Sequence, residues 1–422
     1  MILEECIKVD DDLSHSLNSA RGKRKSYWQP TAEGVAFSGV CRGWRSVSCY
    51  SSNLYTHVNI PLITTPTRNR HIRLWLKLLK SWLSLSGDRP LHINYGSPHN
   101  DTFWMGPQLD SYQQGVYSII TNHLHRVRSL DVDLKNFIPS QPSSRSGWGA
   151  DELDVAKILG VPELPPYDES HWAAACIKEL WVTVNSDCLM DWNPIEVNWI
   201  NSIKSLDTLW VNDTLGDDRL RVPLGNANRV IYEQTTRRGE SQPYNYPLAQ
   251  CKSAVEAKLT LDMNYSPSSM RQDDLEGEIL KALKHLELVG DHYAFESLSS
   301  YLMPLLEGLT IKREAFKPHY QPIYDSGTSK QPPAFHLQRL IQRSRCTLKS
   351  LVIKDENLTP TEVINCLNLP EVSGIMDIDF WLCKGTIYPE NRIPGFETWD
   401  DVDGVHVGKQ SKYLVQASRR GI

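Results

Sequence analysis

The 422-residue chain has no long hydrophobic run. Nothing in it approaches the ~20 consecutive apolar residues that cross a bilayer as a helix, which argues against a membrane bundle. Near the start, Glu4 and Glu5 interrupt Met1, Ile2 and Leu3 before any apolar stretch of signal-peptide length can form. There is no surplus of positive charge. Forty-five Lys and Arg stand against fifty Asp and Glu, for a net charge of -5, so the chain is no electrostatic magnet for nucleic acid or anionic lipid. Paired cysteine spacing is also missing. The nine cysteines are odd in number, scattered, and nowhere spaced C-x-x-C, which speaks against a disulfide framework or a zinc ribbon. The four N-x-[ST] matches, at Asn100, Asn212, Asn264 and Asn357, read as chance where no secretory signal accompanies them. Together these absences predict a cytoplasmic or nuclear protein with neither membrane nor nucleic-acid partners.

Catalytic signatures are missing as well. There is no phosphate-cradling or dinucleotide-binding glycine loop, no nucleophile elbow and no H-E-x-x-H helix. His123 and His125 lie two apart, and His285 and His292 stand alone, without a carboxylate or thiol at metal-ligand spacing. The acidic pairs Asp273–Asp274 and Asp400–Asp401 have no base nearby in sequence. No cofactor, metal or catalytic residue is expected.

What the chain does have is periodicity. Residues 1–33 carry charge runs with little apolar company (Asp10 to Asp12, Arg21 to Lys25) and are expected to be a solvated tail. In residues 34–62, Val35, Ala36, Phe37, Val40, Cys41, Trp44 and Val47 recur at helical spacing, with Arg42 and Arg45 on the polar side. A short strand pattern succeeds it at 54–60. Residues 68–125 predict a helix over 71–86, apolar around more than half its circumference and so largely buried. Gly87 stops it and Pro90 bars continuation. A strand at 91–95 and an amphipathic helix near 109–124 complete this region, read as a helical linker packed on the region from residue 126 onward.

From 126 to 383 a motif repeats, L-x-x-L-x-V or close to it. It occurs at 127–132, 177–182, 206–211, 257–261, 283–288, 306–311 and 348–353, with weaker versions at 230–232 and 372–380. Steps between central leucines are 29 residues (Leu180 to Leu209), 27 (Leu259 to Leu286) and 23 (Leu286 to Leu309). A period of ~20–29 with one strand per unit is the pattern of a leucine-rich-repeat solenoid, whose units cannot bury their apolar faces alone and must stack. Steps of 50 residues (Leu130 to Leu180) and 42 (Leu309 to Leu351) enclose Pro-rich stretches, read as surface insertions. Residues 384–422 lose the pattern and are read as a tail. The expected fold class is therefore α/β: a short helical segment, then a leucine-rich-repeat-like solenoid with irregular insertions.

Thirteen tryptophans include Trp104, Trp148, Trp172, Trp181, Trp192, Trp199 and Trp210 in or near the repeats. They could line an aromatic partner-binding face or complete the core. Trp181 and Trp210 each directly follow a motif leucine, where strand alternation points away from the core. These two are the candidate partner surface.

Phe37, Val40, Cys41, Arg42, Trp44 and Arg45, then Leu54, Tyr55 and Val58, resemble the second half of an F-box. There a helix reading V-C-r-x-W-r is followed by L-W-x-x-I. Residues 82–93 look like the W-L-x-R-S-G-x-x-P-L-x-L segment of fungal F-box proteins of the leucine-rich-repeat type. Residues 340–351 and 359–370 resemble their S-x-C-x-L-x-x-L repeat. The landmarks occur in the family's order. The resemblance implies a non-enzymatic subunit that binds a Skp-type adaptor and a cullin ligase through Val40, Cys41, Trp44, Leu54 and Tyr55, and recognises a protein substrate for ubiquitination. The sequence departs from the family at two points. Residues 13–21 lack the opening L-P-x-E-[IL] helix, and Tyr55 stands where Trp is usual. A solenoid scaffold with a decayed F-box and no ligase role is the alternative. An enzyme with a site built from distant residues is a third reading.

Overall fold

A computed structural model describes residues 52–60, 69–95, 107–133, 169–184, 195–204, 206–213, 220–234, 245–261, 278–290, 298, 301–313, 332–355, 358–382, 397–401 and 404–409. The helical pattern at 34–47, including Val40, Cys41 and Trp44, lies outside them, as do Trp104, Trp148 and Trp192.

The fold is mixed α/β and built around one large sheet. Its strands in chain order begin with β1 (His57–Asn59), β2 (Leu91–Tyr95), β3 (Val127–Asp133) and β4 (Glu179–Val184). After the short β5 (Ile195–Glu196) come β6 (Thr208–Asp213), the short β7 (Leu220–Arg221), β8 (Arg229–Gln234) and β9 (Glu256–Leu261). Next are the short β10 (Glu278–Ile279), β11 (His285–Gly290), the short β12 (Tyr301–Leu302), β13 (Gly308–Arg313), β14 (Ser350–Asp355) and β15 (Asp377–Leu382). Last come β16 (Glu397–Asp401) and β17 (Gly404–Lys409). The sheet order is β1-β2-β3-β4-β6-β8-β9-β11-β13-β14-β15-β17-β16, and its first eleven strands are all parallel and stand in chain order. The returns between them pair in two places, β5 with β7 and β10 with β12.

Alternation builds the two faces. One row of in-register residues runs Val58, Ile93, Leu130, Leu180, Leu209, Val230, Ala257, Leu286, Leu309, Leu351 and Ile378, one per strand and every one buried. A single apolar cluster extends from Val58 to Phe380. In five of the motifs the first apolar residue is not in the strand. Ile177, Leu206, Leu283, Leu306 and Leu348 lie two residues before it, buried in the entry turn.

That turn carries a ladder of its own. The Lys178 carbonyl accepts from both Asp207 N (2.8 Å) and Thr208 N (2.9 Å), and the carbonyls of Asn228, Val255, Lys284 and Glu307 each take two donors from the next unit in the same way. A parallel ladder leaves strand-entry carbonyls without a regular partner, and this double acceptance satisfies them. Side chains reinforce it at the surface, with Lys178 3.7 Å from Asp207 and Lys349 2.6 Å from Glu307.

Helices and 3₁₀ turns fill the returns. α1 (Asn69–Leu85) ends where Gly87 adopts a φ of 56°, the left-handed conformation that glycine takes without steric cost. Arg126, at the entry to β3, closes that end. Its guanidinium donates to Ser86 Oγ (2.7 Å) and to the Leu83 carbonyl (2.6 Å), so an orphan helix carbonyl is satisfied by a buried cation. α2 (Pro107–Thr121) packs on α1. α3 (Asn245–Gln250) fills a later return. α4 (Pro333–Ser344) starts at a proline and ends on Arg345 at φ 51°, and α5 (Pro360–Leu367) opens with a Thr359–Glu362 capping box. The one-turn α6 (Pro370–Ser373) leads to β15. No helix among the described residues is long and apolar enough to cross a membrane.

Two regions differ from the sequence reading. The sheet starts at β1, inside the 34–62 segment read as F-box-like, and continues with β2, inside the segment read as a helical linker, because β2 pairs in register with both β1 and β3. Residues 397–401 and 404–409, read as patternless tail, form two antiparallel strands, β16 and β17, and β17 pairs antiparallel with β15 and covers that edge of it. The signal was short: only Val405 and Val407 alternate there.

Candidate functional site: the outer face of the sheet

The face opposite the core has its own in-register rows. The central one reads Asn59, Asn94, Asp131, Trp181, Trp210, Ile231, Lys258, Glu287, Thr310, Val352 and Asp379. Trp181 and Trp210 are direct cross-strand partners, and Ile231 sits beside them on the next strand. All three are half-buried. At ~4.8 Å per strand they form an apolar strip about 10 Å wide. Thr183 and Asn212 border it on one side, Glu179 and Thr208 on the other.

Charge frames the strip. Towards the amino-terminal strands stand Asp131, Asn94 and Asn59, with His57 and His92 stacked at 4.6 Å in the adjacent row. On the other side Glu287 is held by Lys312 at 2.5 Å and Lys258 at 3.6 Å. Partial burial works to raise the Glu287 carboxyl, yet the Lys312 hydrogen bond and the charges of Lys312 and Lys258 hold it below its usual value. Arg229 lies 3.5 Å from Glu256 one row away. Further along, the Lys354 ammonium sits over the Trp381 ring, whose Nε1–H donates to Asp379. The cations flanking the strip are thus largely engaged, and Trp181, Trp210 and Ile231 form an apolar part of this face.

The structure separates the tryptophans that the sequence could not. Trp172 and Trp199 lie in 3₁₀ returns, fully buried, with ring centroids 4.1 Å apart. They are core. Trp181 and Trp210 are brought together on the outer face. Ile231 was missed, because its motif is one of the two weak ones in the sequence and only the register aligns it with the pair.

Of the residues nominated for an adaptor, Val40, Cys41 and Trp44 lie outside the described residues. Leu54 falls in the 3₁₀ turn Ser52–Tyr55 beside α1, and Tyr55 is 7% exposed. The expected structural histidines include His123, whose imidazole meets the Arg126 guanidinium at 3.2 Å. Desolvation first, then the charges of Arg126 and His125, lower its pKa to about 4. The buried Cys251 and Cys366 thiols are pushed up to about 12 by desolvation, so both are poor nucleophiles. No cluster of three metal-ligating side chains occurs among the described residues. No protein-family model matches the chain, and no curated protein matches it significantly.

Proposed function

We propose that the chain is a non-enzymatic interaction protein. Its sheet is a leucine-rich-repeat-like solenoid that binds a protein partner on the outer face. The F-box-like segment at 34–62 tethers it to a Skp-type adaptor, as the substrate-recognition subunit of an SCF-type ubiquitin ligase acting in the cytoplasm or nucleus. The observation that carries the reading is the register. Eleven parallel strands in chain order, each with a buried leucine or its equivalent in one row, are what stacked short repeats produce. The same register gathers Trp181, Trp210 and Ile231 on the outer face. Aromatic groups surrounded by polar ones are the composition of interface hot spots.

The ligase arm rests on the F-box resemblance. Its test is co-purification of the full chain with a Skp-type adaptor, beside a Val40→Asp/Trp44→Ala variant. Binding by the natural chain and at least a tenfold loss in the variant are expected. If neither binds while both give the same circular dichroism, the ligase arm fails. The scaffold reading then stands, and the missing L-P-x-E-[IL] opening in residues 13–21 favours it.

A further inference from the structure

The Trp181–Trp210 pair is set among carboxylates. Asp131 is the register partner of Trp181, and Glu179 precedes Trp181 by two residues on the same face. Glu233 is the register partner of Asn212 and so stands diagonally from Trp210. Asp131 and Glu233 are half-buried like the two rings, and Glu179 is exposed. The paired residues 129–133, 179–184 and 208–213 contain no lysine, arginine or histidine. The next strands do carry cations, but Arg229 lies 3.5 Å from Glu256 and Lys258 3.6 Å from Glu287. Among the described residues, neither Glu179 nor Glu233 joins an ion pair. The same face shows a completed arrangement at its other end. Lys354 and Trp381 are register partners, the Lys354 ammonium sits 2.9 Å from the Trp381 ring centroid, and the Trp381 Nε1–H donates to Asp379. There the sheet supplies cation, ring and carboxylate itself. Around Trp181 and Trp210 it supplies rings and carboxylates.

We infer that the partner docks a basic segment here, with an arginine side chain laid over the Trp181–Trp210 pair and its charge met by Asp131, Glu179 and Glu233. The inference rests on the reading of this face as a partner-binding surface and adds what the partner must carry. Charge complementarity selects this occupant. An apolar or acidic segment seated on the rings would strip water from the neighbouring carboxylates without compensation. A cation answers both features at once, because the negative face of an indole ring attracts it and a carboxylate pairs with it. Arginine suits the site better than lysine. Its planar guanidinium stacks on an aromatic face and keeps donors at its edge for carboxylate oxygens, and it is the more weakly hydrated of the two cations.

A library of short random peptides panned on the full chain tests it, with the selected peptides then measured by fluorescence polarisation. Those selected should share an arginine. Replacing it with citrulline, which keeps the shape and removes the charge, should weaken binding to the natural chain at least tenfold. Asp131→Asn/Glu179→Gln/Glu233→Gln should weaken binding at least tenfold as well and flatten its dependence on salt, with an unchanged circular dichroism spectrum. Trp181→Ala/Trp210→Ala should abolish it. Peptides that need both tryptophans yet tolerate citrulline and the neutralised carboxylates would overturn the inference and leave the strip a binding surface. Peptides that bind regardless of the tryptophans, or the recovery of none, would overturn it too. The reading of this face as a partner surface falls with it only if capture from a native extract is also indifferent to the two tryptophans.

Discussion

At the scale of single residues, four of the described tryptophans show how position sets role. Trp172 and Trp199 fill the core of two adjacent returns, whereas Trp181 and Trp210 lie on the outer face. Trp172→Ala should therefore cost about 3–5 kcal/mol of unfolding free energy, the range for emptying a buried aromatic site. Trp210→Ala should cost about 1 kcal/mol or less, and urea denaturation of the two variants measures the contrast. His123 gives a pH prediction. Its folded pKa is about 4, below the 6.5 of the free side chain. Above pH 6.5 both states are neutral there and the contribution is fully present. As pH falls from 6.5 towards 4, the unfolded chain takes up a proton that the folded chain refuses, and stability is lost. The natural chain should lose more stability between pH 7 and pH 5 than His123→Asn does. Equal losses would show that His123 does not titrate differently on folding.

At the scale of elements, most of the strand positions were legible. The motif at 206–211 became β6 (Thr208–Asp213), and the run at 91–95 became β2 without change. Leucine spacing sets which residues can be buried, and alternation sets which side they face. What was not legible is pairing. Nothing local in residues 57–59 or 91–95 says that they join the repeat strands; only the register with β3 does. α1 was expected to be largely buried because so much of its circumference is apolar, yet Leu74 and Leu78 are exposed, since a helix lying on one sheet covers one face. The β16–β17 hairpin was missed because two valines make too short a pattern. Its role is physical: it caps β15, which would otherwise present an open row of backbone donors and acceptors. A chain ending at residue 383 should keep its helix and strand signature but self-associate. Light scattering against concentration reads this out, and a monomer as stable as the full chain would contradict the capping role.

At the scale of the whole molecule, one apolar cluster runs from Val58 to Phe380 and every parallel strand contributes a residue to it. Stability in such a stack is close to a sum over neighbouring units, so the outer face can vary without cost to the core. The candidate site reflects that freedom. The sequence placed Trp181 and Trp210 on the outward side of their strands, but the third member, Ile231, and the charged frame of Lys258, Glu287 and Lys312 needed the register. Periodicity constrains the buried row and leaves the outward side chains free, which is why the parallel strands were legible and the outer apolar strip only half so.

The proposed function stands or falls on whether the Trp181–Trp210–Ile231 strip binds a partner. Quantitative mass spectrometry decides this, on proteins captured from a native extract by the full chain and by Trp181→Ala/Trp210→Ala, with thermal unfolding of both as control. Specific partners should fall at least tenfold in the variant while both chains remain folded. The same partners retained at equal abundance would refute the strip as the binding surface.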